Sequence, residues 1–291
     1  MKKLLMISCL IILGLFRTYS QPADPPFYKE IRQFLHQDSV MPPPQGAILF
    51  AGSSSFRMWT DVQDFFPGYT IINRGFGGST LPDLIRYAHD IIIPCKPKHI
   101  VIYCGENDFV VPDPATPELV AARFETLFHL FRTALPSVRI TYISIKPSPS
   151  RWYLAAKFAG ANQRIAAFLQ TQQNTGFISI WELMLDKNHQ PDTTLFLSDR
   201  LHLNAKGYQL WQKEINRNWK MNILIDSLMQ KMTLQEMIGQ LNLAASGEIV
   251  TGQAKSSEVG KKIREGKVGG LLNVRTAGKV LEVQRVAVEE S

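Results

Sequence analysis

Cysteine is scarce: the 291 residues hold three, and Cys9 lies in an amino-terminal apolar run. The other two, Cys95 and Cys104, flank His99-Ile100-Val101-Ile102-Tyr103, which reads as one strand. At a rise of about 3.3 Å per residue, they stand farther apart than the roughly 7 Å a disulfide spans, so none is expected. Long apolar runs are missing too. Leu4 to Phe16 falls short of the roughly 20 residues of a membrane helix; with Lys2 and Lys3 before it and the small residues Thr18 and Ser20 after it, it reads as a secretion leader cleaved before Gln21. Cys9 is too early in that run for lipid attachment at its end. The expectation is a signal peptide over residues 1–20, a secreted or periplasmic product, and no stable membrane insertion after cleavage. Basic runs are absent as well: the formal charge of +7 loses Lys2, Lys3 and Arg17 with the leader, and the rest is dispersed. That excludes nucleic acid as a partner. There is no internal repeat.

From Gln21 to Lys220, short β-rich runs alternate with longer helical patterns, the signature of an α/β fold on a parallel sheet. Strands are predicted at Ala47 to Ala51, Thr70 to Asn73, His99 to Tyr103, Arg139 to Ile145 and Phe177 to Ile180, each apolar enough for burial on both faces. Helices are predicted over Pro117 to Leu135, Leu154 to Thr171 and Lys206 to Asn218, with Pro136 stopping the first and Asn204 capping the last. Residues 22–46 are proline-rich around a short helix, Phe27 to Leu35, and read as an arm laid over the domain. After Lys220 the character changes, which divides the chain into 1–20, 21–220 and 221–291.

Several familiar chemistries lack their residues. The elbow Gly-x-Ser-x-Gly fails because Phe56 holds its last position, which counts against an α/β-hydrolase. The glycines of Arg74-Gly75-Phe76-Gly77-Gly78-Ser79-Thr80 miss the dinucleotide spacing, and no lysine makes them a Walker loop. His36, His89, His99, His129 and His189 show no ligand spacing, so no metal is expected. What remains is a set of polar clusters after the strands. Gly52-Ser53-Ser54-Ser55 follows the first strand and precedes a helix, where a serine serves either as helix cap or as nucleophile near helix amides. The glycine-rich run follows the second strand, as a plain turn or as bare backbone open to a ligand. Gly105-Glu106-Asn107-Asp108 closes the third strand, where Asn107 ends a turn or donates to an oxyanion; Glu106 and Asp108 are too close in sequence to face each other as an acid pair. Asp199-Arg200-Leu201-His202 is a surface turn, a metal pair without its further ligands, or a carboxylate spaced to reach the imidazole and set its tautomer.

In combination these four blocks resemble the SGNH or GDSL-like hydrolase family over about residues 40–220. The resemblance implies a three-layer, flavodoxin-like α/β fold with a five-stranded parallel sheet. It also implies a serine esterase without cofactor: Ser54 as nucleophile, His202 as base, Asp199 as triad acid, and an oxyanion hole from Ser54, Gly78 and Asn107. The family's Gly-Asp-Ser stands here as Gly-Ser-Ser, so Ser53 and Ser55 leave the nucleophile open to that extent. Export and the aromatics Trp59, Trp152 and Tyr153, read as sugar-facing or as core, point to O-acetyl groups on carbohydrate, or another small ester, as substrate. A silent glycan-binding module on the same fold is the rival of a different class.

Residues 221–291 carry Thr233 and Glu236 as a capping box, then KVGGLLNV and LEVQRVAVEES. They resemble the opening of a family 3 glycoside hydrolase. A barrel takes roughly 250 residues, so the expectation is an incomplete α/β-barrel segment, with the strand Gly270 to Val274 lacking neighbours. The implied partner is a downstream glycosidase domain in a longer polypeptide, and a bifunctional esterase/β-glucosidase is the alternative reading of the whole.

Overall fold

The computed structural model describes residues 24–240, 243–245, 259–272 and 277–289. The expected leader, residues 1–20, lies outside them. By its contacts the chain forms two compact units, Met1–Leu210 and Trp211–Ser291.

The first unit is built on five parallel strands: β1 (Ile48–Gly52), β2 (Ile71–Gly75), β3 (His99–Tyr103), β4 (Arg139–Ile143) and β5 (Thr175–Ile178). They lie in the order β2-β1-β3-β4-β5. Successive side chains of a strand point to opposite faces. Leu49, Ala51, Ile100 and Ile102 therefore enter one apolar core with α1 (Tyr28–Val40), α4 (Leu81–Ile91), α5 (Pro117–Ala134) and α6 (Ala155–Gln170). The opposite face holds a ring cluster in which Phe50 meets Phe56 at 5.0 Å, Phe66 at 5.7 Å and Trp59 at 6.1 Å. That layer is supplied by α2 (Ser54–Arg57), α3 (Val62–Phe65) and the start of α7 (Ala205–Lys231). This is the expected three-layer α/β architecture.

Local chemistry explains the helix starts. Thr80 and Asp83 form a capping box on α4, and the Thr116 side chain accepts from Leu119 N at 3.2 Å on α5, with Pro117 in the first turn. Asn204 Oδ1 accepts from Gly207 N at 3.2 Å and so caps α7. The arm helix runs on to Val40, and α7 passes Asn218 to reach Lys231.

Two features of the sheet position the site. The chain steps from β1 outward to β2 and returns on the other side as β3, so the order reverses at β1, where parallel sheets open a crevice at their carboxyl ends. In addition, Gly52 is in register with both Gly75 and Tyr103. The loops after β1, β2 and β3 therefore leave the sheet at one level.

In the second unit, Thr233 and Glu236 form the predicted capping box, with Glu236 N donating to Thr233 Oγ1 at 3.2 Å and Thr233 N to Glu236 Oε2 at 2.6 Å, ahead of α8 (Leu234–Gln240). The strand predicted to lack neighbours has one. β7 (Gly270–Leu272) pairs in parallel with β6 (Leu243–Ala245), satisfying backbone groups that would otherwise be exposed; positions 273 and 274 lie outside the described residues. The elements α9 (Val259–Arg264) and α10 (Ala277–Glu289) complete this unit as described.

Candidate active site

Ser54 is the first residue of α2, immediately beyond the end of β1. The turn is pinned against β3: Ser53 N donates to Tyr103 O at 3.1 Å, and a Cβ on Gly52 would lie 2.0 Å from that same carbonyl oxygen. Only glycine fits there. Ser53 and Ser55 are buried, whereas Ser54 is partly exposed, and the Ser53 side chain makes no cap hydrogen bond. Of the three hydroxyls, it is Ser54 Oγ that lies 3.0 Å from His202 Nε2.

The imidazole is held from behind. His202 Nδ1 lies 2.6 Å from Asp199 Oδ2, while Asp199 Oδ1 accepts from the backbone amides of Leu201 and His202, each at 2.9 Å. Burial pushes the Asp199 carboxyl up, but the hydrogen bonds from the His202 side chain and these amides outweigh it and bring it down to about 2. The loop closes on itself through Leu197 N to His202 O at 2.8 Å, with Arg200 at φ 58 forming its tip. Ser150 N donates to Arg200 O at 3.0 Å, which ties this loop to the one following β4.

Asn107 follows β3. Its Nδ2 donates to Ser79 O at 3.0 Å, and its Oδ1 accepts from Arg151 Nη1 at 3.1 Å. Gly78, in the loop after β2, has φ 81, a conformation that favours glycine, and open space where a Cβ would stand. The first amides of a helix have no intrahelical partner, and Ser54 N is of that kind. Ser54, Gly78 and Asn107 thus come from three loops that leave the sheet at one level.

Glu106 and Asp108 diverge as expected. Asp108 is buried and accepts from Leu81 N at 3.0 Å and Arg123 Nη1 at 2.8 Å. Glu106 is also buried and receives Lys146 Nζ at 2.5 Å, Tyr103 OH at 2.6 Å and Arg151 Nη1 at 3.1 Å. Burial raises its carboxyl, yet the two cations more than offset that and hold it below its ordinary value. Sequence reasoning missed this cluster. Its one signal was a lysine directly continuing a buried strand run, at Ser144-Ile145-Lys146.

The aromatic expectations divide. Trp59 is a correction: it is 0% exposed and stacks on Tyr208 at 4.8 Å, so its faces are used by the core and none is left for a sugar. Trp152 is half-buried beside Trp181 at 5.8 Å and lines a cavity of about 420 Å³ with Arg200, Asp186, Gln190, Asp192 and Thr194. Tyr153 is 77% exposed. His99 is buried against Thr141 Oγ1 at 2.8 Å, and His129 packs against the rings of Phe128 and Phe168. Among the described residues no three His, Cys, Asp or Glu side chains gather as metal ligands, and Cys95 and Cys104 are both free and buried.

Solved structures share this fold. One from Streptococcus pneumonia, assigned as a platelet activating factor, is 22% identical with a TM-score of 0.57, covering 65% of this chain and 90% of its own. An assigned acylhydrolase from Bacteroides fragilis is 21% identical with a TM-score of 0.56, covering 64% and 93%. A GDSL-like lipase from Bacteroides thetaiotaomicron is 18% identical with a TM-score of 0.56, covering 64% and 95%. No curated protein matches the chain. The GDSL-like Lipase/Acylhydrolase family matches residues 45–210, a span that holds the whole five-stranded sheet and every side chain of the crevice at its carboxyl edge, and the chain belongs to that family.

Proposed function

We propose that this ester hydrolase works through Ser54, His202 and Asp199 and removes O-acetyl groups from carbohydrate outside the cytoplasm. The observation that carries the first part is the unbroken chain from Ser54 Oγ through His202 to Asp199, at 3.0 and 2.6 Å. His202 Nε2 takes the hydroxyl proton as Ser54 Oγ attacks the ester carbonyl. Asp199, ionised down to about pH 2, keeps the Nδ1–H tautomer and stabilises the imidazolium. The carbonyl oxygen becomes an oxyanion, which the amides of Ser54 and Gly78 and the Asn107 side chain receive. The tetrahedral adduct collapses as His202 returns its proton to the departing alcohol. Water then cleaves the acyl-enzyme by the same steps.

Two observations support a sugar alcohol. The cavity at Arg200 is lined by one indole and several hydrogen-bonding side chains, the mixture an oligosaccharide needs. The amino-terminal run has the form of a secretion leader. Residues 221–291 are read as the opening of a glycosidase domain of a longer polypeptide.

The deciding experiment measures p-nitrophenyl acetate hydrolysis by the parent and Ser54→Ala, then acetate release from acetylated oligosaccharides. Loss of the first activity in the variant and a preference for acetylated sugars over longer acyl esters support the proposal. No hydrolysis by the parent would make the domain a binding module. Release of p-nitrophenol from a β-glucoside would overturn the reading of the second unit.

A further inference from the structure

We propose that Arg151 is a positioning residue for the oxyanion, acting through Asn107 and anchored by the buried Glu106–Lys146 pair; the inference rests on the esterase reading of the Ser54 site.

The side-chain amide of Asn107 has two partners that demand the same orientation. Arg151 has donors only, so it must face Oδ1; Ser79 O accepts only, so it must face Nδ2. A flipped amide would set donor against donor and acceptor against acceptor. One N–H of Nδ2 remains, and Asn107 is half-buried between the buried Glu106 and Asp108, so it keeps an open side, which the esterase reading assigns to the oxyanion. Arg151 therefore determines that this open side presents a donor.

Arg151 is itself fixed from below. The same Nη1 that meets Asn107 lies 3.1 Å from Glu106 Oε1, and its side chain is 16% exposed. Glu106 also receives Lys146, Tyr103 and, at 3.3 Å, Ser148 Oγ. An apolar filling of such a site is often as stable as buried ions, so stability alone does not account for two cations on one carboxylate. Lys146 also feels the Asp199 carboxylate, so the cluster couples two cations to Glu106 and to the triad acid at the sheet edge where negative charge develops. Lysine at 151 would place three freely rotating donors on a flexible stem, without the planar guanidinium whose N–H directions are fixed toward both acceptors.

The test is a double-mutant cycle on p-nitrophenyl acetate with Arg151→Met, Asn107→Ala and both, alongside Ser54→Ala and thermal melts. Arg151→Met is expected to lower kcat by about 10- to 100-fold with KM within about threefold. In the Asn107→Ala background it should change kcat by less than about threefold, because the group it orients is gone. Arg151→Lys should recover only part of the loss. A purely structural role would lower the melting point and cost the same factor in both backgrounds, and that additivity would overturn the proposal; so would an unchanged kcat in Arg151→Met. Should Arg151→Met not fold, Arg151→Gln, which keeps an N–H toward Asn107 without the charge, is expected to retain more kcat than Asn107→Ala, and a larger loss would refute the orienting role. If Ser54→Ala keeps the parental rate, the esterase site itself is wrong and this inference falls with it. If Ser54→Ala is inactive while Arg151→Met is normal, only the role of Arg151 falls.

Discussion

Replacing Asp199 by asparagine changes one atom of the site, and the hydrogen bonds around that atom dictate the effect on turnover. Oδ1 of Asp199 receives two backbone amides, those of Leu201 and His202, each at 2.9 Å. Both are donors, so the oxygen of an asparagine must take that position and its NH₂ must face His202 Nδ1, where Oδ2 now sits at 2.6 Å. An amide can only donate there. The imidazole is then driven to carry its proton on Nε2, the nitrogen 3.0 Å from Ser54 Oγ, and it can no longer accept the serine proton. The corresponding change in a serine protease costs about 10⁴ in kcat. The Asp199 side chain is 44% exposed and water competes for both groups, so the expected fall is about 10³- to 10⁴-fold, or roughly 4 to 5.4 kcal/mol of transition-state stabilisation. Steady-state p-nitrophenyl acetate hydrolysis at neutral pH reads kcat, with a melt to show the fold is kept. A folded Asp199→Asn within tenfold of the parent would refute the tautomer argument.

Asn107→Ala should lower kcat by about 10²- to 10³-fold without shifting the melting point by more than a few degrees; near-parental turnover would remove Asn107 from the oxyanion hole. Trp152→Ala should raise KM for an acetylated oligosaccharide about three- to tenfold and leave p-nitrophenyl acetate unaffected, whereas equal effects on both would place the indole in the fold alone. Gly52→Ala puts a Cβ 2.0 Å from Tyr103 O, so β1 and β3 must part; soluble protein with a parental melting point would contradict the register. His99 is buried, and burial first, with Arg139 and Lys98 adding to it, lowers its value from 6.5 to about 3. Above pH 6.5 the ring is neutral folded or unfolded; below it the unfolded chain takes up a proton that the folded one refuses. Stability is then lost by about 1.4 kcal/mol per pH unit toward pH 3. Urea midpoints from pH 7 to 4.5 should show a shallower slope in His99→Gln, and parallel slopes would sink the assignment.

The sequence was most legible where both faces of an element are buried. His99 to Tyr103 has no polar residue after its first, and its limits match β3. At the sheet edge the signal weakened: β5 begins at Thr175 and Gly176, three of its four residues are only half-buried, and the apolar run lies two positions too late. The helix α4 was not delimited at all, although Thr80, Pro82 and Asp83 mark its start. The acid and base were readable because three residues separate them. Choosing among the serines was not, since consecutive positions entering a helix point in different directions and composition carries no direction. Trp59 misled for a related reason: an indole near a nucleophile in sequence says nothing of the face on which it lands, and its partner Tyr208 is remote along the chain. Glu106, Lys146 and Arg151 were unreadable as a unit because β3 and β4 first have to pair in register before the ends of those strands meet.

The hydrogen bond from Ser150 to Arg200 has a consequence for anyone wishing to retarget this enzyme. It stitches the segment bearing Arg151 to the turn bearing Asp199 and His202, so a transplanted specificity loop at either place drags its neighbour along. Residues 146–154 and 196–203 are therefore a single unit of exchange, to be swapped together or left alone.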